Sequence, residues 1–227
     1  MITFDHVISR GLEIPDLAIP PGRTAVIGPN GGGKTRFLRL IAGLDIPSKG
    51  IVAVDGRSPR DCEVGWVDEF PDRNMLFSRV DEEIAGPLRF RHTNCPEIRS
   101  RVSGIASEVG IVHLAERETL HLSGGEKALV ALAAALACTP DILVLDEFDS
   151  HLDRDASKQV QDMLGNRRFR YVVWCTQDME SAREADMVAY LEKGRIARSG
   201  SPRDVFSGLK NSCFYPLSWK VHNAASP

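Results

Sequence analysis

The most informative part of this chain is the stretch Gly28-Pro29-Asn30-Gly31-Gly32-Gly33-Lys34-Thr35. It matches the pattern G-x-x-x-x-G-K-[ST] at every fixed position, and it directly follows the apolar run at residues 24–27. Glycines let successive backbone N–H groups turn inward, and the N-terminus of a following helix adds partial positive charge. The stretch therefore predicts a strand, a phosphate-binding loop and a helix. Lys34 would reach the β- and γ-phosphates of a nucleotide, and the Thr35 hydroxyl would ligate Mg²⁺.

Short β-branched runs alternate with helical stretches along the rest of the chain. The runs lie at residues 24–27, 51–54, 142–145, 171–174 and 188–191. Several are apolar throughout, as strands buried on both faces of a parallel sheet are. Between them, the helical spacing of Phe37, Leu40 and Ile41 stops at Gly43, and a later amphipathic stripe stops at Gly165. We expect an α/β core with a mainly parallel sheet and, in the first twenty residues, antiparallel edge strands.

The segment at residues 72–120 has a different character, because it is charged and poor in strand patterns. Its apolar residues recur at helical spacing, at Ile98, Val102, Ile105 and Val109. We therefore predict one domain with an inserted helical subdomain. The predicted division is an α/β core at 1–71 and 139–206, a helical subdomain at 72–138 and a tail at 207–227. The tail shows no clear pattern, and we expect residues 211–227 to fray.

The composition excludes several classes of protein. The 28 Lys and Arg residues nearly balance the 31 Asp and Glu residues, for a net charge of −3, so nothing indicates the basic surface of a nucleic-acid-binding protein. The longest apolar run, at residues 128–138, is shorter than the about 18 residues of a membrane span and reads as a buried helix. The chain starts without a secretion signal, and its five cysteines lack C-x-x-C spacing. These features predict a cytoplasmic protein with reduced thiols.

An acidic pair follows the apolar run at residues 142–145. Asp146 and Glu147 stand at the end of this predicted strand. A hard cation such as Mg²⁺ prefers oxygen ligands, so Asp146 is the candidate metal ligand. Glu147 is the candidate general base that polarises a water molecule. Acidic residues at strand ends are common, but the phosphate loop in the same chain makes this interpretation specific.

A glycine-rich stretch, Leu122-Ser123-Gly124-Gly125-Glu126, precedes the apolar run at residues 128–138. Ser123 and Glu126 have the spacing of a capping box, so a well-capped helix is one interpretation. Two consecutive glycines are unfavourable in a first helical turn, however. They favour a second interpretation, in which Ser123 and the backbone N–H groups of Gly124 and Gly125 face a phosphate.

In this order and spacing, the three motifs resemble those of the ATP-binding cassette (ABC) ATPases, from about residue 1 to residue 206. The resemblance implies a P-loop NTPase core and hydrolysis of ATP with Mg²⁺. It also implies a head-to-tail dimer in which Ser123, Gly124 and Gly125 of one cassette close over the nucleotide of another. The loop at residues 150–153 would cross that dimer interface, and residues 191–196 match a late hairpin of the family.

The middle segment, at residues 64–111, looks like the energy-coupling-factor branch of this family. Members of that branch drive the uptake of vitamins and of cobalt or nickel ions. This resemblance implies a peripheral subunit on the inner face of the cell membrane, bound to a separate transmembrane protein. The transmembrane partner would dock near Phe77 and the inserted helices.

Four features depart from the family's pattern. Glu69, or Asp68 in another register, stands where the family has a glutamine, and it can still accept a metal ion or a water molecule. Gln177 replaces a histidine, so it can donate a hydrogen bond to the γ-phosphate but cannot take up a proton. Arg36 replaces a hydroxyl residue and could contact the α-phosphate. Near residues 9–12 no aromatic is available to stack on adenine, although Arg10 could do so.

Two interpretations of these departures remain open. Either the chain pairs with a different ATPase and its own site hydrolyses ATP slowly, or it forms an active homodimer in which Glu147 retains its role. The leading function is the ATP-hydrolysing subunit of an importer. The alternatives are a regulatory nucleotide-binding subunit and a soluble ABC protein that acts on nucleic acid or ribosomes. The latter usually has two cassettes or a long coiled coil, and this sequence has neither.

Overall fold

The computed structural model describes residues 1–166 and 169–224, with side chains up to Lys220. The strands in these residues are β1 (Ile2–Ser9), β2 (Leu12–Ile19), β3 (Gly22–Ile27), β4 (Lys49–Val54), β5 (Val64–Val67), β6 (Ile142–Asp146), β7 (Tyr171–Cys175), β8 (Met187–Glu192) and β9 (Arg195–Gly200). The helices are α1 (Lys34–Ile41), α2 (Val80–Phe90), α3 (Cys95–Val109), α4 (Gly124–Ala137), α5 (Arg154–Asn166), α6 (Met179–Ala182), α7 (Pro202–Ser207) and α8 (Leu217–Ala224). The chain divides into two compact units. The first contains Met1–Cys62 and the part from Arg170 onward, and the second contains Glu63–Phe169.

The first unit contains two groups of strands. One is an antiparallel sheet in the order β2-β1-β4, and the alternating burial of β1 and β2 matches one packed face and one solvated face. The other runs in the order β7-β3-β8-β9, in which β3 is parallel to both neighbours and β9 is antiparallel to β8. Phe4 of β1 stacks on Phe37 of α1, with 4.9 Å between ring centroids. The run at residues 51–54 thus belongs to the antiparallel sheet, where Ile51 is 64% exposed.

The second unit combines a strand pair with helices. β5 and β6 are parallel, and Val67 lies opposite Leu145 near their carboxyl ends. All five residues of β6 are buried, as expected for a parallel strand covered on both faces. Helix α4 packs against α2, α3 and β5. A Cβ at Gly65 would lie 2.8 Å from the Ala135 carbonyl oxygen, so only glycine permits this close approach of β5 to α4.

The expected fold class is confirmed: an α/β arrangement with parallel strands, antiparallel strands and helices. The domain boundaries after residues 71 and 138 stay predictions. The prediction that residues 211–227 fray is wrong from Leu217, where α8 begins. The ring of Trp219 contacts those of Phe206 and Tyr215, with centroids 5.7 and 6.1 Å apart, and such tertiary contacts leave no periodic signal in the sequence. Residues 225–227 of the predicted frayed tail lie outside the described residues.

Candidate functional site

The glycine-rich loop lies between β3 and α1, at the carboxyl end of β3. Helix α1 begins at Lys34, and its N-cap residue Gly33 has a φ of 102° and makes no side-chain capping hydrogen bond. The first N–H groups of a helix have no acceptor within the helix, so they are available to an anion. Thr35 lies exposed in this first turn. The strand, loop and helix predicted for this stretch are therefore confirmed.

Three glycines of the loop are closely packed, and a Cβ at any of them would lie within 3.0 Å of another atom. A Cβ at Gly28 would lie 2.0 Å from the Leu191 carbonyl oxygen, and one at Gly33 would lie 2.7 Å from Cδ2 of Leu12. A Cβ at Gly32 would lie 2.9 Å from the carbonyl oxygen of Pro29. The loop is thus held against the end of β8 and the start of β2. The glycine pattern indicated a close backbone approach, but it did not indicate Leu191.

The ammonium group of Lys34 lies inside the curve of this loop. Lys34 is 6% exposed, and its Nζ donates to the carbonyl oxygens of Gly28 at 3.1 Å and Pro29 at 3.4 Å. It also lies 3.5 Å from Oδ1 of Asn30. The same Oδ1 accepts a hydrogen bond of 2.8 Å from Nε2 of Gln177. The structure thus brings Gln177, at the end of β7, to the phosphate loop, and Asn30 joins it to Lys34.

Arg36 lies exposed beside the turn between β1 and β2. One of its guanidinium nitrogens donates to the carbonyl oxygen of Arg10, whose φ of 40° is left-handed. The guanidinium group therefore supports this turn. The contacts of Arg36 with an α-phosphate and of Arg10 with adenine stay predictions.

Three acidic residues of the second unit lie at the carboxyl ends of β5 and β6. Asp146 is the last residue of β6 and is only 2% exposed. Glu147 has a left-handed φ of 42°, a conformation that costs a non-glycine residue energy and is often found at functional sites. Glu69 follows β5, and the parallel register of the two strands brings it to the same end.

The pKa of Glu69 reflects the burial of its side chain and the charges of the neighbouring carboxylates. Burial raises this pKa, and it is raised further by the charges of Glu147, Asp146 and Asp68. A divalent cation would relieve this repulsion, and carboxylate oxygens are the ligands that Mg²⁺ prefers. The donor set therefore fits Mg²⁺, with Asp146 as the most buried member.

The glycine-rich stretch at residues 122–126 starts helix α4 through a complete capping box. Ser123 Oγ accepts the N–H of Glu126 at 3.3 Å, and Oε2 of Glu126 accepts the N–H of Ser123 at 2.7 Å. The capping interpretation is thus confirmed. Ser123 and Gly124 are also exposed to solvent, so the second interpretation, contact with a phosphate, stays a prediction.

His151 connects several of these segments, whereas the sequence placed it only in the loop at residues 150–153 and indicated no contact with Glu69. Its Nε2 lies 2.7 Å from the carbonyl oxygen of Glu69, and because a carbonyl only accepts, this nitrogen carries the proton. A Cβ at Gly125 would lie 3.0 Å from the backbone oxygen of His151. His151 also ends the short 3-10 helix that starts directly after Glu147. One imidazole thus joins the Glu69 loop to the turn that carries Glu147.

An apolar groove lies between α2, α4 and β5, with a volume of about 290 Å³. Leu76 and Phe90 on its rim are 73% and 68% exposed. The buried carboxylate of Glu83 accepts the N–H groups of Leu76 at 2.9 Å and Phe77 at 2.8 Å, which fixes the loop beside the groove. Within residues 1–166 and 169–224, none of the helices combines the length and the apolar character that a membrane span requires.

The sequence of this chain is similar to those of known proteins. The sequence family described as ABC transporter matches residues 12–150. The energy-coupling factor transporter ATP-binding protein EcfA1 of Halalkalibacterium halodurans is 34% identical over 214 residues, which cover 89% of this chain and 77% of that protein. The biotin transport ATP-binding protein BioM of Rhizobium etli is 37% identical over 191 residues, which cover 82% and 85%.

Two solved structures have a similar fold. One is cbiO1 of Clostridium perfringens, part of the ABC transporter complex cbiONQ, with a TM-score of 0.79, 25% identity and coverage of 91% of this chain and 90% of that one. The other is an ATP-binding cassette solved as a dimer in a post-hydrolysis state with ADP and Pi. Its TM-score is 0.81 at 25% identity, with coverage of 89% of this chain and 99% of that one.

Proposed function

Because this chain belongs to the ABC transporter family, we propose that it is the ATP-binding and ATP-hydrolysing subunit of an importer of the energy-coupling-factor type. The observation that carries this proposal is the phosphate loop, in which Lys34 is buried among backbone carbonyl oxygens at the uncapped start of α1. These carbonyl oxygens hold the ammonium group where phosphate oxygens would replace them. The relatives' names, an EcfA1 protein and a biotin transport protein, support the transport role.

The proposed chemistry relies on positioning and on charge stabilisation, because phosphoryl transfer needs little covalent help from a protein. The N–H groups of the loop from Gly28 to Gly33 and the ammonium of Lys34 bind the phosphates. Glu147 accepts a hydrogen bond from the attacking water and orients it. When ATP binds, the side-chain amide of Gln177 leaves Asn30 and donates a hydrogen bond to the γ-phosphate instead.

We assign Thr35 and Asp146 to Mg²⁺, with Glu69 as a further carboxylate. When bound, the ion offsets the charge that develops on the phosphate oxygens. The parallel register of β5 and β6 supports this assignment, because it brings Glu69 and Asp146 to the same end of the strand pair.

A second cassette completes the proposed enzyme. Ser123, Gly124 and Gly125 begin α4, and the exposure of the first two leaves them accessible to the nucleotide of a partner cassette. We propose a head-to-tail dimer on this basis. Whether the second cassette is a copy of this chain or a different ATPase stays open, because Glu147 is retained while Glu69 and Gln177 depart from the family's pattern.

A transmembrane subunit is the other proposed partner, and it would bind at the apolar groove beside Phe77. The exposed side chains of Leu76 and Phe90 support this surface, because contiguous exposed apolar groups mark interaction sites. Binding there would hold the chain on the inner face of the membrane. Replacing Leu76 and Phe90 by serine should reduce co-purification with the membrane partner without changing ATP binding.

The experiment that tests the proposed function measures ATP binding and phosphate release by the purified chain. Lys34→Ala removes the charged contact to the phosphates and should weaken ATP binding about tenfold or more. Lys210→Ala is a matched control, because Lys210 is exposed and far along the chain from the loop. Equal ATP affinity in wild type and Lys34→Ala would contradict the proposal.

A further inference from the structure

We propose that residues 214–220 form a clamp that positions Gln177 at the phosphate loop, an inference that rests on the proposed function. This tail clamp contains the start of α8. It contacts α6, the short helix that begins two residues after Gln177. All of the contacts described below lie within the first compact unit.

Polar contacts join the tail clamp to α6 at Ser218. The N–H of Ser218 donates to Oε1 of Glu180 at 2.9 Å, and its hydroxyl donates to Oε2 at 2.8 Å. Arg183 donates to the same hydroxyl at 2.8 Å and pairs with Glu180 at 3.2 Å. Both side chains of the pair are therefore held by one serine. The carboxylate of Glu180 also provides an acceptor at the start of α8, where a negative charge is favourable.

Apolar contacts fix the tail clamp to the rest of the unit. Trp219 packs edge-on against Phe206 and Tyr215. Phe214 packs against Tyr190 of β8, with 5.5 Å between ring centroids. Tyr215 is buried in the described structure. The tail clamp is thus anchored on β8 and α7 as well as on α6.

Hydrogen bonds continue from α6 to the phosphate loop. Asp178 caps α6 by accepting the N–H of Glu180 at 2.9 Å, and its own N–H donates to Oγ1 of Thr176 at 2.9 Å. Gln177 lies between these two residues, and its Nε2 donates to Oδ1 of Asn30 at 2.8 Å. The path from Ser218 therefore ends at Asn30, whose Oδ1 also lies 3.5 Å from Nζ of Lys34.

The shortness of α6 explains why the clamp is needed. Met179–Ala182 is a single turn, and one isolated turn is unstable because its nucleation cost is not offset by further hydrogen bonds. The position of α6 therefore depends on tertiary contacts. Ser218 provides such contacts, because it binds the side chains of Glu180 and Arg183. Without them the backbone at Gln177 gains freedom, and its amide spends less time where it contacts the γ-phosphate.

A double-mutant cycle on the full-length chain tests this inference. Ser218→Ala should lower kcat for ATP hydrolysis about fivefold and change the KM for ATP by less than about twofold, since Gln177 acts on the γ-phosphate during hydrolysis. Ser218→Thr keeps the hydroxyl and should restore most of kcat. Ser207→Ala is the matched control, because the Ser207 hydroxyl donates to the Asp204 carbonyl and not to α6.

The decisive comparison uses the background of Gln177→Ala. If the tail clamp acts through Gln177, Ser218→Ala should cause no additional loss of kcat in that background. An equal loss in both backgrounds, or no loss in either, would overturn the inference. If thermal denaturation shows that Ser218→Ala folds poorly, Glu180→Gln gives the same comparison, because it weakens the contact with Ser218 while keeping the size of the side chain. A wild-type chain that binds no ATP would contradict the proposed function itself, and the clamp with it.

Discussion

The two loop glycines Gly28 and Gly31 provide a quantitative test of the structure. Both have a positive φ, of 145° and 75°. A Cβ at Gly31 meets no atom within 4 Å, whereas one at Gly28 would lie 2.0 Å from the Leu191 carbonyl oxygen. Gly31→Ala therefore adds only left-handed strain, of about 1 to 2 kcal/mol. Gly28→Ala adds strain and forces two backbone segments apart, so we expect a loss of about 4 kcal/mol in the free energy of unfolding.

Urea denaturation followed by tryptophan fluorescence measures both losses. The midpoint should fall much further for Gly28→Ala than for Gly31→Ala, with similar slopes if unfolding is two-state. Because the two residues share one loop and one substitution, effects on the unfolded chain cancel to a first approximation. Equal losses for the two variants would refute the close packing of Gly28 on β8. A larger loss for Gly31→Ala would refute the conformation of the loop.

Three other predictions follow from the site and its surroundings. Glu147→Gln should slow phosphate release by about 100-fold or more and leave ATP affinity intact, because only the orientation of water is lost; an unchanged single-turnover rate would contradict this role. His151→Leu removes the donor to the Glu69 carbonyl and should lower the free energy of unfolding by about 1 kcal/mol. His151→Gln retains a donor and should lose less. Equal urea midpoints for the two variants would count against the contact. The pKa of Asp55 is lowered from 3.8 to about 2, first by a hydrogen bond from the N-terminal ammonium and also by Tyr171 and Arg170. A lowered folded-state pKa stabilises the fold above the unfolded value, so the loss of stability in Asp55→Asn should be present at pH 6 and shrink as the pH falls to about 2; a difference independent of pH would refute it.

Much of the site is visible in local patterns. The glycine-rich loop, the acidic end of β6 and the capping box of α4 each depend on neighbouring residues, so their spacing is sufficient to predict them. The helix α8 could not be predicted this way. Its Trp219 ring packs against Phe206 and its Ser218 hydroxyl bonds to Glu180, and neither partner is a neighbour in the sequence.

Sequence patterns were sufficient to predict five of the strands and the phosphate loop, and the resemblance of three motifs indicated the family. The tertiary structure brings Gln177 to Asn30, 147 residues away in the sequence, and His151 to the Glu69 carbonyl. It also decided that the tail packs on α6. The physical reason is that short patterns encode local backbone preferences, whereas these contacts depend on which strands pair and on how helices pack against them.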